Sequence, residues 1–176
     1  MSSLETVEIL NEHGEIVGTM SRGQAEVEGH ITKNVLVFVF NYEGLVWIQL
    51  RPKSKKHYPG LWDISACGGV LASESPDKAA KRETLEEMGI NVKLSHIETF
   101  LNIFPSENGQ EERRRLSYLY IGRSDEVPSI NEEVDEFKPC DPDELLNDVK
   151  GMPDSYIPSF AIELEKATLG YKNLNT

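Results

Sequence analysis

Apolar and polar positions change period several times along the chain. Thr6-Val7-Glu8-Ile9-Leu10 and Glu15 to Met20 flank Asn11-Glu12-His13-Gly14, whose Asn and Gly carry turn chemistry, so two short strands are predicted within residues 4–20. Asn34 to Phe40 is almost continuously apolar, the pattern of a strand covered on both faces. Asn41-Tyr42-Glu43-Gly44 turns it into Leu45 to Leu50, which predicts a hairpin. Asn91 to Phe104 reads as extended, with a polar interruption at Ser95-His96, and Pro105 to Gln110 reads as a loop. A strand over Arg115 to Ile121, a loop over 122–131 and a short strand from Val134 ended by Pro139 follow. Asp141-Pro142 opens a small helix, and a last helix spans about Pro158 to Leu169, with apolar Phe160, Ile162, Leu164 and Ala167.

One further helix is marked at both ends. Ser75 is a good N-cap, Pro76 fits the first helical position, and Gly89 fits the left-handed stop. Strands with a central helix and a helical C-terminus predict an α+β sandwich. There is no internal repeat, low-complexity segment or interdomain linker, so residues 1–176 are expected to form one domain, with the strand pair of residues 1–30 as a peripheral extension.

Composition narrows the function. Hydrophobic residues make up 39% and charged residues 27%, ordinary for a globular protein, and the net charge of −12 opposes general binding to duplex nucleic acid. A small phosphorylated substrate stays open, because a bound cation reverses the local sign. Cys67 and Cys140 make no disulfide framework, and neither a secretory signal nor an apolar run of membrane-spanning length is present. A reduced, cytoplasmic protein that does not enter membranes is expected; oligomeric state is not legible.

The helix after Ser75 carries the chemistry. At about 100° per residue, Glu83, Glu86 and Glu87 fall within a sector of roughly 100° on its surface. Glutamate-rich helix faces are usually just solvated, with Lys81 and Arg82 as partial relief here. The Gly-rich entry and Glu74 upstream point instead to a hard divalent cation, Mg²⁺ or Mn²⁺, held by carboxylates and by phosphate oxygens of a substrate. Arg51-Pro52-Lys53-Ser54-Lys55-Lys56-His57 is the most basic run in this acidic chain. It is either a solvated loop or a cradle for a diphosphate.

The segment Gly68 to Ile90 resembles the signature box of the Nudix hydrolases, G-x5-E-x7-R-E-U-x-E-E-x-G-U, with U a bulky aliphatic residue. Gly68, Glu74, Arg82, Glu83, Glu86, Glu87 and Gly89 occupy every fixed position, and Thr84 is a mild departure at the first U. The resemblance implies a mixed sheet between helices, an α/β/α sandwich, and metal-dependent hydrolysis of a nucleoside diphosphate linked to another group. It places Glu83, Glu86, Glu87 and Gly68 at the metal, and makes Glu86, Glu87 and Arg82 the catalytic set. Arg82 is expected to pair with a box glutamate, Glu74 to support the loop or Arg82, and Gly68 to admit close approach of the backbone to the metal. The general base is a box glutamate or a residue of a distant loop, with Glu132 and Glu133 as candidates.

The flanks are similar to type 1 isopentenyl-diphosphate isomerase, through Arg51, Ser54-Lys55-Lys56, Pro59-Gly60-x-Trp62 and Ser65-x-Cys67-Gly68. That resemblance makes Cys67 catalytic and gives the diphosphate to Arg51 and Lys55. Against it, Gly69 stands where the isomerase has a histidine ligand, and Arg113-Arg114-Arg115 stand where it has glutamates. Hydrolysis is therefore expected, with prenyl-diphosphate isomerisation and non-catalytic ligand-binding regulation as alternatives. In the hydrolase Cys67 is a packed small side chain and His30 a loop histidine.

Overall fold

The computed structural model describes residues 5–104 and 112–174. β1 (Thr6–Leu10) and β2 (Ile16–Ser21) pair antiparallel as a sheet of their own, followed by a one-turn helix α1 (Arg22–Val27) that the sequence pattern did not predict. Six residues are too few for a helical period to show, although Ser21 Oγ accepts from Gln24 N as an N-cap.

The main sheet is mixed. Its centre is β3 (Thr32–Phe40), parallel to β8 (Arg113–Arg123), which is antiparallel to β7 (Leu94–Phe104). The polar interruption in β7 is a register shift between His96 and Glu98. The expected hairpin of β3 with β4 (Val46–Leu50) closes only at Phe40 and Val46. Beyond that pair the strands splay. The chain at 62–69 fills the wedge, pairing with β4 through β5 (Trp62–Asp63) and with β3 through β6 (Ala66–Gly69). The other edge of β4 takes β9 (Glu136–Cys140), which runs on through Pro139 instead of ending there; an edge strand tolerates the missing N–H. The predicted loop at 105–110 lies outside the described residues.

Side chains alternate across β3. Val35, Val37 and Val39 join Ala79, Ala80 and Met88 of α2 (Pro76–Met88) in one core; Leu36, Phe38 and Phe40 join α3 (Pro142–Gly151) and α4 (Phe160–Leu174) in the other. The sandwich of helices about a mixed sheet is thus formed as expected. Ser75 Oγ caps Lys78 N, and Gly89 takes φ +71° with its N–H on Leu85 O, so both predicted stops of α2 operate. Thr84 is buried because its hydroxyl donates to Ala80 O at 2.7 Å. In α4 the inward stripe is Phe160, Glu163, Leu164 and Ala167, whereas Ile162, expected among the apolar set, is 59% exposed. The helix also continues past Leu169, with Gly170 packed so closely that a Cβ would lie 2.7 Å from Ile97 Cγ2.

Candidate active site

The wedge segment brings α2 and the second core together. Because side chains alternate along β6, Cys67 and Gly69 face the α4 side and Gly68 faces α2. Glu83, fully buried, lays its carboxylate over Gly68. A Cβ there would be 2.0 Å from Glu83 Cδ and Oε1. The glycine leaves the room in which the Glu83 carboxylate sits.

Arg82 ties the box together. Its Nε and Nη2 each donate at 2.9 Å to Glu74, Nη2 also reaches Gly69 O at 3.0 Å, and Nη1 donates to Glu83 Oε1 at 2.6 Å and Glu86 Oε2 at 3.3 Å. Glu74 in turn accepts from Leu71 N at 3.0 Å, so it supports both the loop and Arg82. Glu87, one turn on, is buried and accepts at Oε2 from Cys67 N at 2.9 Å and Gln49 Nε2 at 2.8 Å. Glu86 stands at the helix surface, 43% exposed.

Burial, and then the neighbouring Glu87, push the Glu83 carboxyl up to about 8, against the pull of Arg82. Burial likewise raises Glu87 to about 7, although Cys67 N–H and Gln49 favour its charge. Glu83 Oε2 has no hydrogen-bond partner. Two crowded buried carboxyls and a bare oxygen suit a hard cation in donor type and charge. Among the described residues, no three His, Cys, Asp or Glu side chains converge as they stand on one metal-sized point.

Beside Cys67 and Glu87 lies a cavity of about 370 Å³. Arg22, Arg51, Lys55, Lys56, Arg113 and Arg115 line it, a concentration of positive charge in a chain of net charge −12. Burial and the adjacent Arg113 press Arg115 below the ordinary guanidinium range. Arg113 stacks on Tyr58 and Phe104, with centroid distances of 5.2 and 5.8 Å.

The basic run is held down from inside. Arg51 donates to Asp63 Oδ2 at 2.7 Å and twice to His57 O, so much of its guanidinium shapes the loop. Lys55 pairs with Glu133 at 2.6 Å, and Glu26 of α1 receives Lys56, His57 and Arg115. Although burial opposes it, these contacts, His57 first, hold Glu26 down to about 2. Glu132 is exposed, outside this network; Asn131 donates to Glu86 O and Glu87 O, tying the loop to the end of α2. Cys67 Sγ lies 3.6 Å from Asp63 Oδ2, and burial with Asp63 and Glu87 pushes its thiol well up. His30 pairs with Glu28 near the surface.

Several of these residues escaped the sequence reading: Gln49, Asp63, Glu26, Asn131 and, on α4, Glu163. Glu163 alone left a signal, an ionisable residue in the apolar stripe with Phe160, Leu164 and Ala167.

Box, sheet and cavity together define a Nudix protein: the NUDIX domain model matches residues 30–160, and the chain belongs to that family. Among its relatives, an isopentenyl-diphosphate Delta-isomerase of Pectobacterium atrosepticum is 29% identical over 160 residues, covering 90% of this chain and 89% of that protein. An uncharacterized Nudix hydrolase of Listeria monocytogenes is 40% identical over 93 residues, 52% of this chain and 55% of that one. A solved structure from Deinococcus radiodurans superposes with TM-score 0.78 at 23% identity, covering 93% and 99% of the two chains. The NUDIX domain of Shewanella oneidensis NrtR, complexed with ADP ribose, superposes at 0.58 with 17% identity over 89% and 100%. Both families named among the relatives are in general dependent on divalent metals. Among the described residues no helix is long and apolar enough to cross a membrane.

Proposed function

We propose that this chain hydrolyses a diphosphate linkage in a nucleoside-diphosphate-type substrate, using Mg²⁺ (or Mn²⁺) held by Glu83, Glu86 and Glu87 beside Gly68. The observation that carries the reading is the buried Glu87, which lines a cavity crowded with arginine and lysine, with the buried Glu83 one turn behind it on α2. A divalent ion bound there would neutralise phosphoryl charge and lower the pKa of an attacking water. Arg82 fixes the carboxylate of Glu83 and braces Glu86. The exposed Glu86 has room to turn toward its partners. Glu87, held by Cys67 N–H and Gln49, stays in place beside the cavity and serves with Glu86 in activating water. Lys55 and the outer face of Arg51 receive the diphosphate. Residues 1–176 act as one unit, to which α1, following the peripheral strand pair, delivers Arg22.

Prenyl-diphosphate isomerisation has one observation in its favour, similarity to the Pectobacterium atrosepticum isomerase along nearly the whole chain. Two features oppose it. Arg22 fills the space a side chain at Gly69 would need, its Nη2 lying 2.4 Å from an ideal Cβ, and Arg113 and Arg115 enter the cavity where carboxylates would be required. A non-catalytic regulator would be expected to lose a box glutamate, and none is lost. The test is a panel of nucleotide and prenyl diphosphates assayed for released phosphate or pyrophosphate with Mg²⁺. Release from a nucleoside diphosphate derivative supports hydrolysis, and interconversion of isopentenyl and dimethylallyl diphosphate refutes it.

A further inference from the structure

Glu163 is fully buried, yet it lines the cavity. α4 delivers it from the core-facing stripe, opposite the sheet. Asn102 Nδ2 on β7 donates to its Oε1 at 2.7 Å. Oε2 has no hydrogen-bond partner. Ser159, one turn earlier, favours the charge no less than Asn102 does, although its hydroxyl, too, makes no hydrogen bond of good geometry. A buried polar atom left bare costs about 1–3 kcal/mol, so a ligand able to pair with it gains by doing so.

The groups around Glu163 decide which kind of partner it takes. Asp63 on β5 is the charged neighbour that acts on it, and Cys67 on β6 is a thiol that both Asp63 and Glu163 push up. Two cations act at Cys67: Arg51, spent on Asp63 and His57 O, and Arg115, opposite Asn102 on the sheet and paired with Glu26. Burial first, then Asp63, raise Glu163 to about 8, so at neutral pH the carboxyl keeps its proton and has an O–H to give. Asn34, whose Oδ1 accepts from Ser117 Oγ at 2.6 Å, puts a second uncharged polar group on the cavity.

We propose that Glu163 is a specificity-determining residue whose carboxyl donates from Oε2 to an uncharged oxygen or nitrogen acceptor on the group the substrate carries beyond its diphosphate. The inference rests on the hydrolase reading and sharpens its substrate class. A sugar hydroxyl, a base carbonyl or a ring nitrogen offers such an acceptor. A prenyl hydrocarbon offers none and would leave Oε2 bare against carbon.

The test compares wild type, Glu163→Gln and Glu163→Leu. Affinities for ADP-ribose, UDP-glucose and isopentenyl diphosphate are measured by calorimetry with Mg²⁺ at pH 7 and pH 9, and turnover of the same compounds is followed alongside. Wild type is expected to prefer the nucleoside diphosphates. Glu163→Leu should weaken their binding about tenfold while leaving isopentenyl diphosphate unaffected, and Glu163→Gln, which keeps a donor, should stay within about threefold. Wild-type affinity should fall from pH 7 to pH 9 more than that of Glu163→Gln. If Glu163→Leu does not fold, this pH comparison still decides. Unchanged affinities in the variants, or a wild type that prefers isopentenyl diphosphate or binds none of the three, overturn the inference. Binding as predicted without hydrolysis would leave Glu163 in its role and overturn the hydrolase reading alone.

Discussion

Gly68→Ala adds a single methyl group, and the structure says where it goes. Its three nearest atoms all belong to the Glu83 carboxylate, at 2.0, 2.0 and 2.4 Å. Ordinary carbon contacts sit at about 3.5–4.0 Å, so the carboxylate must retreat by about 1.5 Å. Glu83 has no solvent to retreat into, and its Oε1 is held at 2.6 Å by Arg82. Overpacking costs about 1–3 kcal/mol, and the lost hydrogen bond about 1–3 kcal/mol more. A loss of roughly 3 kcal/mol is expected, a fall in Tm of about 6–12 °C for a chain of this size. Urea unfolding measures it in two backgrounds. In Glu83→Ala the methyl group has no carboxylate to meet, so Gly68→Ala should then cost under about 1 kcal/mol, a coupling typical of residues in contact. Equal costs in both backgrounds would refute the seating of Glu83 over Gly68.

Other outcomes follow from the same contacts. Without metal, the raised carboxyls of Glu83, Glu87 and Glu163, at about 8, 7 and 8, bind protons in the folded chain that the unfolded chain releases near pH 4.5, so their contribution to stability is full below that pH and is lost as pH rises through 7–8. The urea midpoint should drop from pH 6 to pH 8.5, and Mg²⁺ should restore more of it at the higher pH; a flat or rising profile would contradict these shifts. Lys55→Ala should lower kcat/KM about tenfold with little effect on Tm, whereas Arg51→Ala should unfold at clearly lower urea because it strands the buried Asp63, about 3–5 kcal/mol for a broken buried pair. Equal melting of the two variants would remove Arg51 from its structural post. Cys67→Ala should keep most hydrolysis, since burial holds the thiol protonated; isomerase activity in wild type that vanishes in this variant would count against the hydrolase reading.

What the sequence made legible depended on local signals. Caps and spacing marked α2 at both ends, and the continuous apolar run marked β3, because each is written in adjacent residues. The wedge at 62–69 was hidden: β5 and β6 have two and four residues, too short for alternation to register, and their pairing depends on how β3 and β4 splay. That missed segment orients Cys67 N–H toward Glu87 and Gly68 under Glu83. The basic loop was visible as charge, but its restraint by Asp63, Glu26 and Glu133 comes from 12 to 78 residues away in sequence, beyond any local period. Ile162 falls outside the buried stripe and Glu163 inside it because a stripe is set by angle around the helix, not by residue type.

Glu87→Gln tests the central claim most directly. The amide oxygen can still accept from Cys67 N–H and Gln49, so the fold should be kept, but the charged ligand is gone. Hydrolysis of the best nucleoside diphosphate substrate is followed across an Mg²⁺ titration, with thermal melts as the control for folding. The account predicts turnover lower by orders of magnitude at every Mg²⁺ concentration and a melt close to wild type. A folded Glu87→Gln variant that hydrolyses as fast as wild type would contradict it.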